Sequence, residues 1–327
     1  MSAAAMRIIV PASTYRAQRR GGRGITALTT REEDYVETIL SGSTHDYILF
    51  FTNRGRLFRR KGYMIPEAGR TAKGTNIVNL LPIEQGERVT AMISARTDSA
   101  SYVVFFTKNG TVKRTRVTEF KNIRNVGLRA INLVNDDELI CVRGTSGSEN
   151  LLIATRQGMA ICFSENDLRP MGRTAAGVRG IRLRAGDYCV GAARARLGGS
   201  LLTITEKGYG KRTAIAEYLR RSEDGEQSVQ GRGGYGKRNY NITEKTGLVA
   251  AVKVVDGEDD VLILSADGTI IRMAAAAISL YGRATQGVRL MRLADGVSVI
   301  AVARTEKEDE VDEPESANAA ENSGTEA

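Results

Sequence analysis

Apolar residues along this chain gather in short runs that stop at a Thr or Ser, two further residues and a Gly. Five segments share this shape: Tyr47-Ile-Leu-Phe-Phe-Thr-Asn-Arg-Gly55, Tyr102-Val-Val-Phe-Phe-Thr-Lys-Asn-Gly110, Leu151-Leu-Ile-Ala-Thr-Arg-Gln-Gly158, Leu201-Leu-Thr-Ile-Thr-Glu-Lys-Gly208 and Val261-Leu-Ile-Leu-Ser-Ala-Asp-Gly268. Their glycines fall 55, 48, 50 and 60 residues apart. Each run is rich in β-branched, aromatic or leucine side chains and ends at a Gly-containing turn, which predicts a β-hairpin. The apolar positions are consecutive rather than alternate, so these strands are expected to be buried on both faces. A short buried helix gives the same pattern, but four or five residues before a turn suit a strand.

A second element follows each hairpin: an Arg, a small or polar loop, a Gly and an alternating strand. It reads Arg70-Thr-Ala-Lys-Gly74, Arg124-Asn-Val-Gly127, Arg173-Thr-Ala-Ala-Gly177 and Arg283-Ala-Thr-Gln-Gly287. An acidic turn and another apolar strand close each unit, as at Glu138-Leu-Ile-Cys-Val142. Counted by this second half the units number six, the extra one lying at Gln18 to Leu40, and the fifth has a longer loop from Arg220 to Arg238. About four strands per unit at a period near 50 residues fits the blades of a β-propeller better than a solenoid or a string of small β domains. The hairpin Gly expected before Gly55 would fall within Met1-Ser-Ala-Ala-Ala, so only a returning strand at Met6-Arg-Ile-Ile-Val10 is expected there. The expected fold is therefore all-β and six-bladed, over residues 1–304, with a partial first blade at about 6–44 and an acidic, disordered tail at 305–327.

Composition sharpens this picture through charge. The 327 residues carry a formal net charge of +9. From Glu306 onward nine acidic residues stand against one Lys, a net of −8, which leaves +17 on the rest. So basic a body points to a polyanion, with nucleic acid the leading candidate. The three cysteines, Cys141, Cys162 and Cys189, form no CxxC, which argues against disulfides or a zinc ribbon and for a reducing compartment. With His45 the only histidine, a catalytic triad or a His-based metal site is excluded in practice. Neither a membrane span nor a signal peptide is legible, so a cytoplasmic location is expected.

Cations recur just after the hairpin glycines: Arg56, Arg59, Arg60 and Lys61; Lys113, Arg114 and Arg116; Lys211 and Arg212; Arg272. The third unit, Met159-Ala-Ile-Cys-Phe163, has none. Singly, such residues can simply block strand edges. As a set recurring from blade to blade, they predict a curved positive belt suited to bent duplex. Turning about 40 base pairs through a half-circle costs about 10 kcal/mol by elastic reasoning. Roughly ten phosphate contacts spread along the arc offset that, without reading sequence.

Gln18-Arg-Arg-Gly-Gly-Arg-Gly24 puts three Arg and three Gly into seven residues, a backbone that can approach phosphates and guanidinium groups that can bind them. Neither it nor Gly208-Tyr-Gly-Lys-Arg-Thr213 has P-loop spacing. Tyr15-Arg-Ala-Gln-Arg-Arg-Gly-Gly-Arg-Gly24, Ile77-Val-Asn-Leu-Leu-Pro82, Asn109-Gly-Thr-Val-Lys113, Gly177-Val-Arg-Gly-Ile-Arg-Leu183 and Gly208-Tyr-Gly-Lys-Arg-Thr-Ala214 together resemble the C-terminal domain of the bacterial DNA gyrase A protein, over about Val10 to Val302.

The resemblance implies a six-bladed β-pinwheel with hairpins exchanged between blades, which wraps double-stranded DNA around a basic rim. In that family the wrap presents a DNA segment for ATP-driven strand passage and so introduces negative supercoils. The box carries over to Gln18, Arg19, Arg20, Gly21, Gly22, Arg23 and Gly24 as the feature most tied to wrapping, and the acidic stretch is similar to the family's variable tail. The implied partners are the catalytic region of the gyrase A protein, together with the gyrase B protein; ATP and Mg2+ act elsewhere in that holoenzyme, with no cofactor expected on this chain. No counterpart of the breakage-reunion half is legible, and Tyr15, Tyr47 and Tyr209 sit in strands and turns with no catalytic setting, so the chain is not expected to cut DNA by itself. The equivalent domain of topoisomerase IV and a protein-binding propeller scaffold are the competing readings, and the intact box favours gyrase.

Overall fold

The turn that ends each apolar run is built by its Thr or Ser and its Gly. Gly55, Gly110, Gly158, Gly208 and Gly268 take left-handed φ between 74° and 83°, which an L side chain resists. Their N–H groups donate back to the carbonyls of Thr52, Thr107, Thr155, Thr205 and Ser265 at 2.9 to 3.1 Å. The hydroxyls of Thr52, Thr107 and Thr155 accept the N–H four residues on, at 3.0 to 3.2 Å. The resulting hairpins pair Tyr47–Thr52 with Arg56–Lys61, Tyr102–Thr107 with Thr111–Arg116, Asn150–Thr155 with Met159–Ser164, Ser200–Thr205 with Tyr209–Ala214 and Asp259–Ser265 with Thr269–Ala274. The structure is a computed structural model and describes residues 6–7, 25–26, 43–66, 75–95, 100–120, 123–221, 224 and 227–306.

Each hairpin becomes a four-stranded blade by gaining one strand on either side. The inner strand follows in the same unit: Val89–Ala95, Leu139–Thr145, Cys189–Arg194, Val249–Val255 and Val299–Glu306. Inner strands of consecutive blades pack on one another, so they form the hub. The outer strand is two residues long and comes from the next unit. Leu128–Arg129 joins the Tyr47 hairpin, Val178–Arg179 the Tyr102 hairpin, Lys237–Arg238 the Asn150 hairpin and Val288–Arg289 the Ser200 hairpin. The hairpin glycine carbonyl then catches the next two N–H groups. Gly110 O, for example, accepts from Gly180 N at 2.8 Å and Ile181 N at 3.2 Å.

The chain ends obey the same rule. Ile25–Thr26 is the outer strand of the fifth complete blade, and Met6–Arg7 pairs with Thr75–Asn76, the outer strand that follows the first. Among the described residues the expected six units therefore appear as five four-stranded blades and a two-stranded sixth sheet, in which Met6–Arg7 lies on the returning strand read from Met6–Val10. The long loop after Tyr209–Ala214 carries a small pair of its own, Arg220–Arg221 with Gln227–Ser228.

The core lies between blades, which explains the consecutive apolar runs. Leu151 and Ile153 pack towards Val104 and Phe106 of the second blade, while Leu152 and Ala154 pack towards Leu201 and Val252 of the fourth. Alternate side chains of one strand thus serve two neighbours, each buried Leu or Ile contributing about 1.5–3 kcal/mol. The first blade buries Phe50 and Phe58 against Ile77 and Leu81 of the segment around the sixth sheet.

Exchange depends on close backbone approach. A Cβ at Gly287, which has φ 68°, would lie 2.3 Å from Gly210 O, whereas one at Gly282 would meet nothing within 4 Å. We expect Gly287→Ala to destabilise the chain by about 2 kcal/mol or more, and Gly282→Ala to stay within about 0.5 kcal/mol of wild type, in urea unfolding. Equal midpoints for the two would contradict this account of the outer strand.

Candidate nucleic-acid interface

Strand exchange decides which cations reach the surface, because it lays an outer strand over the second strand of each hairpin. Of the expected belt, Lys113 and Lys211 are fully buried, at 0 % exposure. Lys113 Nζ donates to Ala130 O at 2.8 Å and Arg173 O at 2.6 Å. Lys211 Nζ donates to Gly282 O at 2.7 Å, Arg283 O at 2.6 Å and Thr285 Oγ1 at 3.2 Å. Arg272 is buried on Asp260, Nε to Oδ2 2.8 Å. Arg114 is buried over the Tyr102 ring, 3.7 Å from Glu165. These four are therefore corrected from belt to interior: the third residue after the hairpin glycine is covered by neighbouring blades and loops in all five blades, and Arg114 and Arg272, at the fourth, turn in beside Glu165 and Asp260.

The other expected residues are more open. Arg59 and Lys61 lie over the Tyr47 ring, at 4.8 and 3.7 Å, and Arg60 donates to Leu80 O at 3.0 Å. Arg116 is exposed beside Tyr102. Arg212 is half-buried and donates through Nε to Ile278 O at 2.8 Å. Gln18, Arg19, Arg20, Gly21, Gly22, Arg23 and Gly24 lie outside the described residues, as does the acidic stretch from residue 307.

The surface cations that the sequence reading passed over stand on the outer strands. Arg129, Arg179, Arg238 and Arg289 are all exposed, each the second residue of its strand. They pair with Arg56, Thr111, Met159 and Tyr209, in every case the residue after a hairpin glycine, so the four occupy one register on four consecutive blades. Among the described residues none of them pairs with a carboxylate. Arg129 approaches Asn132 Oδ1 at 3.4 Å, and Arg289 donates to the Tyr209 hydroxyl at 2.8 Å. Arg182 and Arg292, three residues further on in two blades, are exposed as well. The signal was present as Gly-x-Arg at 127–129, 177–179, 236–238 and 287–289.

A second missed signal lies in the long loop. Gln230-Gly-Arg-Gly-Gly-Tyr-Gly236 matches Gln18-Arg-Arg-Gly-Gly-Arg-Gly24 at five of seven places, and each stretch ends at the Gly before an outer strand. Arg232 donates to Asp167 O at 3.1 Å and Arg179 O at 3.0 Å, and Gly233 N donates to Gly180 O at 2.6 Å. The loop of one unit thereby reaches the outer strand of the blade before it. Tyr235 stays exposed, with the Arg182 guanidinium 5.4 Å from its ring.

Burial, reinforced by the nearby Arg173 and Arg283 respectively, brings the Lys113 and Lys211 ammonium groups down to about 8. Burial pushes the Cys162 thiol up to about 12 and raises Cys189 as well; all three cysteines are free and buried. For the lysines, the unfolded chain binds more protons than the native one between pH 8 and about 10.4, so their contribution to stability rises with pH across that window. The stability gap between wild type and Lys113→Met/Lys211→Met should therefore shift in favour of wild type from pH 7 to pH 10, by at most about 3 kcal/mol per lysine. Urea titrations at both pH values check this, and a gap independent of pH would refute it.

Comparison with known proteins agrees with the ring and its repeats. The family described as DNA gyrase C-terminal domain, beta-propeller, matches residues 2–42, 46–96, 101–142, 149–196, 199–225, 228–256 and 259–306. The chain is 45% identical to the DNA gyrase A protein of Staphylococcus epidermidis over 305 residues, covering 92% of this chain and 33% of that protein. It is also 45% identical to the DNA gyrase A protein of Staphylococcus aureus (strain NCTC 8325 / PS 47) over 312 residues, 94% of this chain and 34% of the relative. The chain thus spans about a third of the length of these curated relatives. A solved DNA gyrase A C-terminal domain superposes with a TM-score of 0.78 at 26% identity, covering 90% of this chain and 94% of that one. The C-terminal domain of a DNA topoisomerase IV gives 0.71 at 25%, covering 86% of each. With repeats, exchanged blades and matches over nearly its whole length in agreement, the chain belongs to the DNA gyrase C-terminal domain family of β-propellers.

Proposed function

We propose that this chain bends duplex DNA around the outer rim of its ring, acting as the C-terminal part of a gyrase A protein in the cytoplasm. The observation that carries the reading is the register of Arg129, Arg179, Arg238 and Arg289: exposed guanidinium groups, free of carboxylate partners among the described residues, on the outermost strand of four consecutive blades. Guanidinium groups bind phosphate oxygens bidentately, and a row of them follows a backbone without reading its bases. Counterion release along such a row opposes the elastic cost of bending. Arg182, Arg232 and Arg292 extend the row, and Gln18–Gly24 adds a Gly/Arg stretch just before the outer strand Ile25–Thr26.

Nothing in this role needs a bond to be made or broken by this chain. Strand cleavage and nucleotide hydrolysis fall to the catalytic region of the gyrase A protein and to the gyrase B protein, with ATP and Mg2+ used there. Relatives that are gyrase A proteins, at 45% identity over most of the chain, favour this assignment over topoisomerase IV.

Two measurements test it. Affinity for duplexes should rise with length up to about 100 base pairs or more and fall steeply with salt, and replacing the four rim arginines by Ala should lower the slope of log K against log salt by about 3 to 4. Binding indifferent to length and salt would give the chain to the scaffold reading. Separately, a circle relaxed in the presence of the protein should trap writhe. Arg19→Ala/Arg20→Ala/Arg23→Ala should lose that writhe while keeping weaker binding, and undiminished writhe would remove the box from the wrapping role.

A further inference from the structure

The third residue after the hairpin glycine is buried in all five blades, but its chemistry is of two kinds. Phe58, Ile161 and Ile271 fill the position with apolar volume in the first, third and fifth blades, whereas Lys113 and Lys211 fill it in the second and fourth. Blade packing therefore does not require a cation there, and burying one carries a desolvation cost that a hydrophobic side chain would avoid.

What the two lysines do with their charge is the same in both places. Each ammonium donates to carbonyls of the loop leading into its own blade's outer strand: Arg173 O for Lys113, and Gly282 O and Arg283 O for Lys211. The loop ends at a left-handed Gly that presses on the lysine itself; a Cβ at Gly177 or Gly287 would lie 3.1 Å from the Cβ of Lys113 or Lys211. Six residues after the gripped arginine carbonyl stands the exposed rim arginine, Arg179 in one blade and Arg289 in the other. Lys113 also holds Ala130 O, one residue beyond the rim Arg129 of the preceding blade. In the third blade, where Ile161 occupies the register, Arg232 makes the comparable contact with the carbonyl of Arg179.

We propose that Lys113 and Lys211 are positioning residues for the DNA interface, buried ammonium groups that hold the rim loops so that Arg129, Arg179 and Arg289 stand at fixed height before duplex arrives. This rests on the DNA-wrapping reading above. The loops they hold, Arg173-Thr-Ala-Ala-Gly177 and Arg283-Ala-Thr-Gln-Gly287, have little apolar side chain to bury and are tethered by hydrogen bonds, such as Thr285 Oγ1 to Gly282 O at 2.9 Å and Ala175 N to Gly172 O at 3.2 Å, to which the ammonium groups add theirs. Ordering them during folding removes that entropic cost from the binding step, which is the usual route by which a preorganised surface gains affinity.

The test compares wild type with Lys113→Met/Lys211→Met on a 150-base-pair duplex. Apolar residues at the same register in three blades lead us to expect a variant that still folds, with a melting temperature a few degrees below wild type because the loop carbonyls lose their donor. Its affinity should be about tenfold weaker, its salt slope smaller by about 2, and hydroxyl-radical protection of the duplex reduced over part of the arc. Should Met disturb packing, Lys113→Ile/Lys211→Ile copies the residue found in the third and fifth blades. A folded variant with wild-type affinity, slope and footprint overturns the proposal. So does a variant whose binding falls only in step with its folded fraction, since the lysines would then be structural alone. If wild type itself shows no length- or salt-dependent binding, it is the DNA reading that fails, and the two failures are told apart by that control.

Discussion

Four of the blades are completed by two residues of the following unit and the fifth by the N-terminal Ile25–Thr26, and the rest of the architecture depends on that hydrogen-bonded exchange. A two-residue strand has little stability alone. Here it is held on three sides: by its ladder with the hairpin, by the hairpin glycine carbonyl that accepts the next two N–H groups, and by a preceding glycine seated on the neighbouring backbone. Gly236 and Gly287 come so close to Ala160 and Gly210 that a Cβ would lie 2.3 Å from a carbonyl oxygen. Because every unit finishes its predecessor, successive blades are joined by backbone hydrogen bonds as well as by the apolar layers between them. The N-terminal pairs extend the rule to both ends of the row, Ile25–Thr26 on the fifth blade and Met6–Arg7 beside Thr75–Asn76.

Exchange also sorts the cations. A side chain on the second hairpin strand lies one strand spacing, about 4.8 Å, inside the edge once the outer strand is in place. Cations there either find partners within the protein, as Arg272 does on Asp260 and Lys211 on three oxygens, or lean over an aromatic ring, as Arg59 does over Tyr47. Arginines on the exchanged strand have water on one side and few internal acceptors. The outermost layer thus holds guanidinium groups available to a polyanion, while the layer beneath uses its charge to fasten loops. The same residue types, a few positions apart, serve two purposes.

Much of the fold was legible because it rests on local chemistry repeated five or six times. The Thr-x-x-Gly turns, the both-face burial of runs such as Leu151–Ala154 and the returning strand around Met6 all follow from short-range pattern. The cation belt was less legible. Lys113 and Arg179 each follow a glycine, by three and two residues, in apolar-basic stretches of similar appearance, and nothing nearby in sequence tells which of them will be covered. The second Gly/Arg stretch was readable by direct comparison of Gln230–Gly236 with Gln18–Gly24, yet the longer loop around it hid the register.

Sequence by itself determined the period, the hairpins, the excess of positive charge and the family, since these need only neighbours along the chain or the sum of its residues. Tertiary structure alone decided that Lys113, Arg114, Lys211 and Arg272 turn inward and that Arg129, Arg179, Arg238 and Arg289 form the rim. The reason is that exposure depends on a strand arriving from about 60 to 80 residues further on, or for the fifth blade from the N-terminal Ile25–Thr26, and which side chain such a strand covers is a property of pairing register, set only when the ring is assembled.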